Sequence, residues 1–309
     1  TLIGDWKHDL DSNPDLAAPL AFVSILLIIL SLLLLVVLKI VIMKVHLPMG
    51  RIWPRPERLF SRGWFPKTKD GLAVLFLVVF VLLPSFFIFT YVASATPVSF
   101  DYGPFMDSLF YSFVIAAVVT VIDISLGVPL ALYIAKNRKG KLPEVLDVLV
   151  NVPLIVPTAA LGYSLGVFWT GQNIIPTFDA LLIILAHVAF TYPLVVRNVA
   201  GAVEEVDPSY EETARTLGAK PVQAFRRVLF PMIKGSILAG AIMAFTRSLG
   251  ETGTTQAVVA SAVTAPVYIV KLIKSEAFYT AGLACIVLII VSYVAMLALR
   301  YVTNGRRSR

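Results

Sequence analysis

The chain has 309 residues, of which 58% are hydrophobic and 15% charged, with a mean hydropathy of +0.84 and a formal net charge of +7. Soluble domains carry about 25% charged residues, so these figures exclude an ordinary water-soluble globule and point to a polytopic membrane protein. The positive charge does not indicate a nucleic-acid partner, because the Lys and Arg residues flank apolar runs instead of gathering on one soluble face.

In chain order, seven apolar stretches approach the roughly 20 residues needed to cross a bilayer: Leu16–Val45, Gly71–Ser94, Ser108–Ala135, Glu144–Trp169, Ala180–Val203, Lys234–Leu249 and Ala281–Val302. Each is predicted to be helical, since lipid cannot satisfy exposed backbone groups. Pro153 and Pro157 interrupt the fourth stretch, and its tail Gly162-Tyr163-Ser164-Leu165-Gly166 is rich in small residues that permit close helix contact. Such an interruption suits either a span facing a pathway or a plain packing kink. Cys285 lies alone in the last apolar run and reads as a small buried hydrophobe.

Charge bias orients the spans. Residues 46–70 carry Arg51, Arg55, Arg58, Arg62, Lys67 and Lys69, and Lys136–Lys141 and Arg306–Arg309 are also basic. The connections Ala95–Asp107 and Thr170–Asp179 contain no Lys or Arg. The positive-inside rule therefore predicts an outside N-terminus and an inside C-terminus. Trp53, Pro54, Pro56, Trp64 and Pro66 interleave with the charges of the first inner segment, as expected of a stretch at the headgroup level. The chain begins at Thr1, and Ala17-Ala18-Pro19-Leu20-Ala21 echoes Thr280-Ala281-Gly282-Leu283-Ala284. Residues 1–45 read either as the tail of a preceding half of a longer membrane protein or as an extra first span.

The inner loop Glu204–Lys234 has its own local logic. Asp207 is placed to cap a helix with Pro208 at its first position, and Glu211 and Glu212 fall in the first turn, where the helix dipole favours acids. Gly218 is expected to end that helix, and Ala219-Lys220-Pro221 to turn the chain into a second one over Val222–Leu229. A polar hairpin outside the spans suits docking into another protein.

The run Glu212-Thr213-Ala214-Arg215-Thr216-Leu217-Gly218-Ala219, followed by Phe230-Pro231, resembles the EAA loop of type I ABC importer permeases. Glu212, Ala214 and Gly218 match, Thr213 replaces the middle Ala, and Phe230 replaces the Leu before Pro231. The likeness continues through Pro193–Arg197 and Ile237–Glu251 and covers roughly residues 108–302. It implies an all-α polytopic membrane protein in which the last six spans form the permease core. Residues 46–70 would be a basic inner linker, 71–107 the first core span and outer loop, and 303–309 an inner tail. It also implies that Glu211, Glu212, Thr213, Ala214, Arg215, Leu217, Gly218 and Ala219 couple to a cytoplasmic ABC ATPase dimer. The other implied partners are a second permease core and an extracellular substrate-binding protein. No cofactor is expected on this chain, and ATP and Mg would sit on the ATPase. No Gly-x-x-x-x-Gly-Lys-Ser/Thr loop and no Cys/His metal spacing occurs, so the chain itself is not expected to be an enzyme.

Charges within apolar runs are functional candidates. Arg247 and Glu251 stand four apart and, with Thr246, Thr252, Thr254 and Thr255, either line a translocation pathway or form a stabilising pair at a bend. Asp123 lies alone in mid-span and reads as a structural carboxylate or a pathway group, and His187 as a packing residue. The run Arg247–Gly253 resembles permeases for molybdate, tungstate and sulfate, whose relatives also move phosphate, ferric iron and thiamine. A small oxyanion is therefore the expected solute, with ferric iron, thiamine, phosphate or a sugar as alternatives. A secondary transporter or a non-transporting scaffold is a more distant reading, and the hairpin speaks against both.

Overall fold

Prolines decide where the apolar runs stay straight and where they break. The computed structural model describes residues 65–138, 140–171, 178–259 and 262–304, with scattered positions between 19 and 37. Helix α1 (Phe65–Leu77) passes through a π turn, Val78–Leu82, into α2 (Leu83–Ser94). Helix α3 (Tyr102–Lys136) holds Pro129 without interruption, capped at its start by Asp101, whose Oδ1 accepts from Gly103 N at 3.0 Å. The stretch Glu144–Trp169 is not one straight span. It forms α4 (Lys141–Ile155) and α5 (Thr158–Gly171), bent by 107°. Pro153 sits inside α4, so Pro157 makes the break: it holds Val156 extended at φ −67° and ψ 131°, as a residue before proline prefers.

Helix α6 (Asp179–Glu205) carries Pro193 in its interior. After α7 (Ser209–Thr216), the short α8 (Pro221–Ala224), a π turn at Phe225–Leu229 and α9 (Phe230–Leu249) form one continuous helix of 29 residues. The expected second hairpin helix and sixth span are thus a single rod. Both π turns end two residues before a proline, Pro84 or Pro231. The wider turn lets Leu83 N reach Val78 O and Phe230 N reach Phe225 O, carrying the helix past a residue that has no N–H. Helices α10 (Gly253–Val258), α11 (Ala265–Lys274) and α12 (Phe278–Asn304) complete the described chain.

Among the described residues, four helices are long and apolar enough to cross a membrane, or five if the bent pair counts as one span. The expected seven is not reached by that measure. Most of the expected first span lies outside the described residues, as do most of the basic linker and the tail. Of its scattered described positions, Val23 and Leu27 pack against Ala159, Ala160, Tyr163 and Ala257.

The core is the triangle α3, α6, α9. Gly127 of α3 lies against Val195 and Val196 of α6, which runs parallel to it, while α9 runs antiparallel, with Gly240 against Val195 and Ser248 beside His187. Ala131, Val195, Val199, Leu229 and Ile233 fill one end of the triangle. Burying such side chains gives no hydrophobic gain within lipid, so close packing must hold the helices. A Cβ built on Gly240 would lie 2.9 Å from Val195 Cα, which shows how near the two backbones come. The outer surface is apolar, with Phe80 of the π turn and Phe110 of α3 more than 60% exposed. In water that surface would drive association, whereas in hydrocarbon it faces its natural solvent.

Candidate functional site

The hairpin is built as its residues dictate. Ser209 N donates to Asp207 Oδ1 at 2.9 Å, and this backbone bond, aided by the Ser209 side chain, holds the Asp207 carboxyl below its ordinary range. The cap is therefore present above that lowered value and is lost as pH falls through it. At the other end, Gly218 takes φ +88°, Gly218 N donates to Arg215 O at 3.0 Å, and Ala219 N donates to Ala214 O at 3.0 Å. This is the Schellman closure that a glycine at this position favours. Lys220 N donates to Gln223 Oε1 at 2.9 Å, starting the long rod that ends at Leu249.

Glu212, Thr213, Arg215, Leu217 and Gly218 lie on the exposed face, and Leu217 is 83% exposed at the tip. Ala214 and Ala219 are half-buried. Glu211 differs from its neighbours. Its Oε2 is 2.6 Å from Lys136 Nζ at the end of α3, so its carboxylate turns back onto the chain. Nearby, Arg138 Nη2 lies 2.7 Å from Glu204 Oε2. A cavity of about 530 Å³ opens beneath the hairpin, lined by Val206, Asp207, Tyr210, Glu212, Val228 and Leu229 among others.

Toward the opposite end, the chain breaks at Gly250 and a buried polar cluster forms around the bend. Arg247 Nη1 pairs with Glu251 Oε2, and the guanidinium stands 5.0 Å from the centre of the Phe190 ring. Glu251 is buried and accepts from Thr254 N at 2.9 Å, which places its negative charge at the start of α10. Thr254 Oγ1 donates to Thr158 O at 3.0 Å, tying α10 to the start of α5. His187 is a satisfied packing residue with both ring nitrogens engaged: Nδ1 is 2.8 Å from Ser248 Oγ and Nε2 is 2.9 Å from Thr255 Oγ1. It pins α6 to both sides of the bend.

Of the candidate pathway residues, Arg247, Glu251, Thr252 and Thr254 come together here. Thr246 lies on the exposed face of α9, its hydroxyl donating to Ile242 O at 2.8 Å. Asp123 sits apart on α3, fully buried near Thr191. Thr191 directs its hydroxyl hydrogen to His187 O at 2.8 Å, and neither Asp123 oxygen has a hydrogen-bond partner among the described residues. A buried carboxylate without donors costs stability. Asp123→Asn, which keeps the shape and carries no charge to bury, is therefore expected to accumulate at or above the parent level and to melt no lower than the parent. A lower melting temperature for that variant would reveal a compensating group.

One polar clamp escaped the sequence reading. Arg197 of α6 reaches α4 through Nε to Asn151 Oδ1 (2.7 Å), Nη1 to Asp147 Oδ1 (2.8 Å) and Nη2 to Asp147 O (3.1 Å). The signal was present, since Arg197 is a charge inside an apolar run and Asp147 and Asn151 stand four apart, one turn above the other on a helix.

Fold and sites define a polytopic helical membrane protein that presents a polar hairpin at one end of its spans. The chain belongs to the family described as binding-protein-dependent transport system inner membrane component, whose profile matches residues 127–309. It is 34% identical over 150 residues to the molybdenum transport system permease protein ModB of Mycobacterium tuberculosis, a match covering 45% of this chain and 56% of that protein. It is 40% identical over 118 residues to the sulfate transport system permease protein CysT of Salmonella typhimurium, covering 35% of this chain and 43% of that protein. The chain thus spans about half the length of these two relatives. A longer match, 28% over 237 residues, joins it to the molybdate/tungstate transport system permease protein WtpB of Pyrococcus furiosus, covering 75% of this chain and 93% of that one. A solved bacterial alginate ABC transporter, in complex with alginate pentasaccharide-bound periplasmic protein, shares the fold. Its TM-score is 0.63 at 15% identity, over 84% of this chain and 99% of that one.

Proposed function

We propose that this chain is the membrane-spanning subunit of an ATP-driven importer for a small oxyanion such as molybdate, tungstate or sulfate. The observation that carries the reading is the hairpin. Its tip residues are exposed, and its second limb is continuous with α9 over 29 residues, about 43 Å at 1.5 Å per residue. A push on the tip is transmitted by a rod to the bend at Gly250, where Arg247 and Glu251 stand. The names of the relatives favour an oxyanion over ferric iron, thiamine or a sugar.

In this reading the hairpin faces the cytoplasm and docks Glu212, Ala214, Arg215, Leu217 and Gly218 into a separate ATPase dimer, which holds ATP and Mg. A second permease core completes the pathway, and an extracellular binding protein delivers the solute. Closure of the ATPases draws the paired hairpins together and opens the pathway outward, and their separation opens it inward. Thr246 and the exposed side of Arg247 face the pathway, with Glu251, Thr252 and Thr254 supporting them from behind.

Gly218 supplies the test. A Cβ there meets nothing within 4 Å, so the main local cost is the positive φ, about 1–2 kcal/mol. Gly218→Val is expected to reach the membrane at the parent level while co-purification of the ATPase and solute uptake fall severalfold. Glu212→Ala should do the same without altering which solute is accepted. Full ATPase retention and full uptake in both variants would defeat the assignment.

A further inference from the structure

The hairpin is attached to the rest of the chain at more points than its own two ends. Residues 206–208 join α6 to α7, and this joint is bridged from outside by Lys136 at the end of α3 and Arg138 in the turn after it. Lys136 Nζ is 2.6 Å from Glu211 Oε2 on the hairpin side, and Arg138 Nη2 is 2.7 Å from Glu204 Oε2 on the α6 side. Two cations two residues apart thus hold two acids on opposite sides of one joint. The cavity of about 530 Å³ lies under the same joint, lined by Val206, Asp207 and Pro208 and by Lys136, Arg138, Glu204 and Glu211. It leaves room for α7 to swing. The facing wall includes Val228 and Leu229 of the π turn, a helix form that recurs at functional sites.

We propose that Lys136, Arg138, Glu204 and Glu211 are positioning residues that set the angle of the hairpin and deliver its movement to α3 as well as to α9. The reason lies in the connectivity. Without these pairs, a displaced hairpin pulls on α9 through continuous helix and on α6 only through the 206–208 joint. With them, α3, which packs against both α6 and α9, moves together with the hairpin. Exposed pairs of this kind add little to folding stability, so their consequence is geometric. Glu211 accordingly acts within this chain and does not contact the ATPase. The inference rests on reading the hairpin as the coupling element.

The experiment has two arms, both on the full chain. In the first, the permease is purified alone with Cys285→Ala, Leu142→Cys and Leu217→Cys, and spin labels report the distance from the hairpin tip to the start of α4. Glu211→Lys is expected to broaden that distance distribution, and the exchanged pair Lys136→Glu with Glu211→Lys to narrow it again. An unchanged distribution in the single variant, or no recovery in the exchanged pair, overturns the proposal. In the second arm, the chain without added cysteines is reconstituted with its ATPase and binding protein, and solute transported per ATP hydrolysed is measured. Glu211→Lys should lower that ratio by about two- to fivefold, the upper range for an exposed pair, with ATPase co-purification unchanged, and the exchanged pair should restore it to near the parent value. Loss of the ATPase with Glu211→Lys, unrepaired by the exchange, would make Glu211 a docking residue and overturn the proposal. If no ATPase binds the parent chain, the coupling reading fails while the distance arm still decides whether the bridge exists.

Discussion

Gly162→Val is expected to remove the folded chain from the membrane. A Cβ on Gly162 would lie 2.8 Å from Thr254 O, 2.9 Å from Thr254 Cα and 3.0 Å from Thr254 Cγ2. Two of those atoms are backbone, and the residue cannot retreat. Thr254 N is held by Glu251 Oε1 at 2.9 Å and Thr254 Oγ1 by Thr158 O at 3.0 Å, so moving it breaks the cap of α10 and its tie to α5. Overpacking alone costs about 1–3 kcal/mol, and the two lost hydrogen bonds add about 1 kcal/mol each. Gly166 is the internal control. Its Cβ would meet Val258 only at 3.5 Å, an ordinary contact, so Gly166→Ala should be tolerated. Membrane accumulation and the monodispersity of the detergent-extracted chain read both variants. Normal accumulation of Gly162→Val would mean that α5 and α10 do not approach this closely.

Arg247→Met alone is expected to be nearly as damaging. Glu251 is 4% exposed, and without the guanidinium its carboxylate keeps, among the described residues, the Thr254 N–H, a loss that approaches the cost of breaking a fully buried pair, about 3–5 kcal/mol. Arg247→Met combined with Glu251→Gln removes both charges and should recover most of the accumulation, giving a large coupling energy in a double-mutant cycle. Uptake separates the two readings of this pair. The Arg247 side chain is 43% exposed whereas that of Glu251 is 4%, so in the proposed pathway role the arginine would meet the anion and the glutamate would support it. The double variant is therefore expected to accumulate and still transport poorly. Recovery of uptake together with accumulation would leave the pair a purely stabilising one.

Much of this architecture follows from local physics that a linear chain displays. Long apolar runs must become helices because lipid leaves backbone groups no other partner, and α3, α6 and α12 lie where hydropathy places them. Asp207, Pro208 and Gly218 predict a capped and glycine-terminated helix because each acts within a few residues of itself, and α7 forms there with the expected positive φ. Arg247 and Glu251 stand four apart, so their spacing announced the pair, which closes across the end of α9.

What the chain could not display is the outcome of contacts between distant segments and of backbone geometry at single bonds. Pro153 and Pro157 looked equivalent, yet only the second breaks the helix, because Val156 before it becomes extended while α4 carries Pro153 within. Phe230 and Pro231 suggested a boundary, but a π turn carries α8 and α9 across it as one rod. Glu211 stands in the expected docking run, and only the fold brings Lys136, 75 residues away, to its carboxylate. His187 meets Ser248 and Thr255 across 61 and 68 residues in the same way. Composition, periodicity and caps therefore determined the class, the helices and the hairpin, since those depend on interactions within a turn or two. The bend and the rod were decided by backbone geometry at single residues, and the pairing of remote charges by tertiary structure, because only helix packing sets which side chains from distant turns lie within 3 Å of one another.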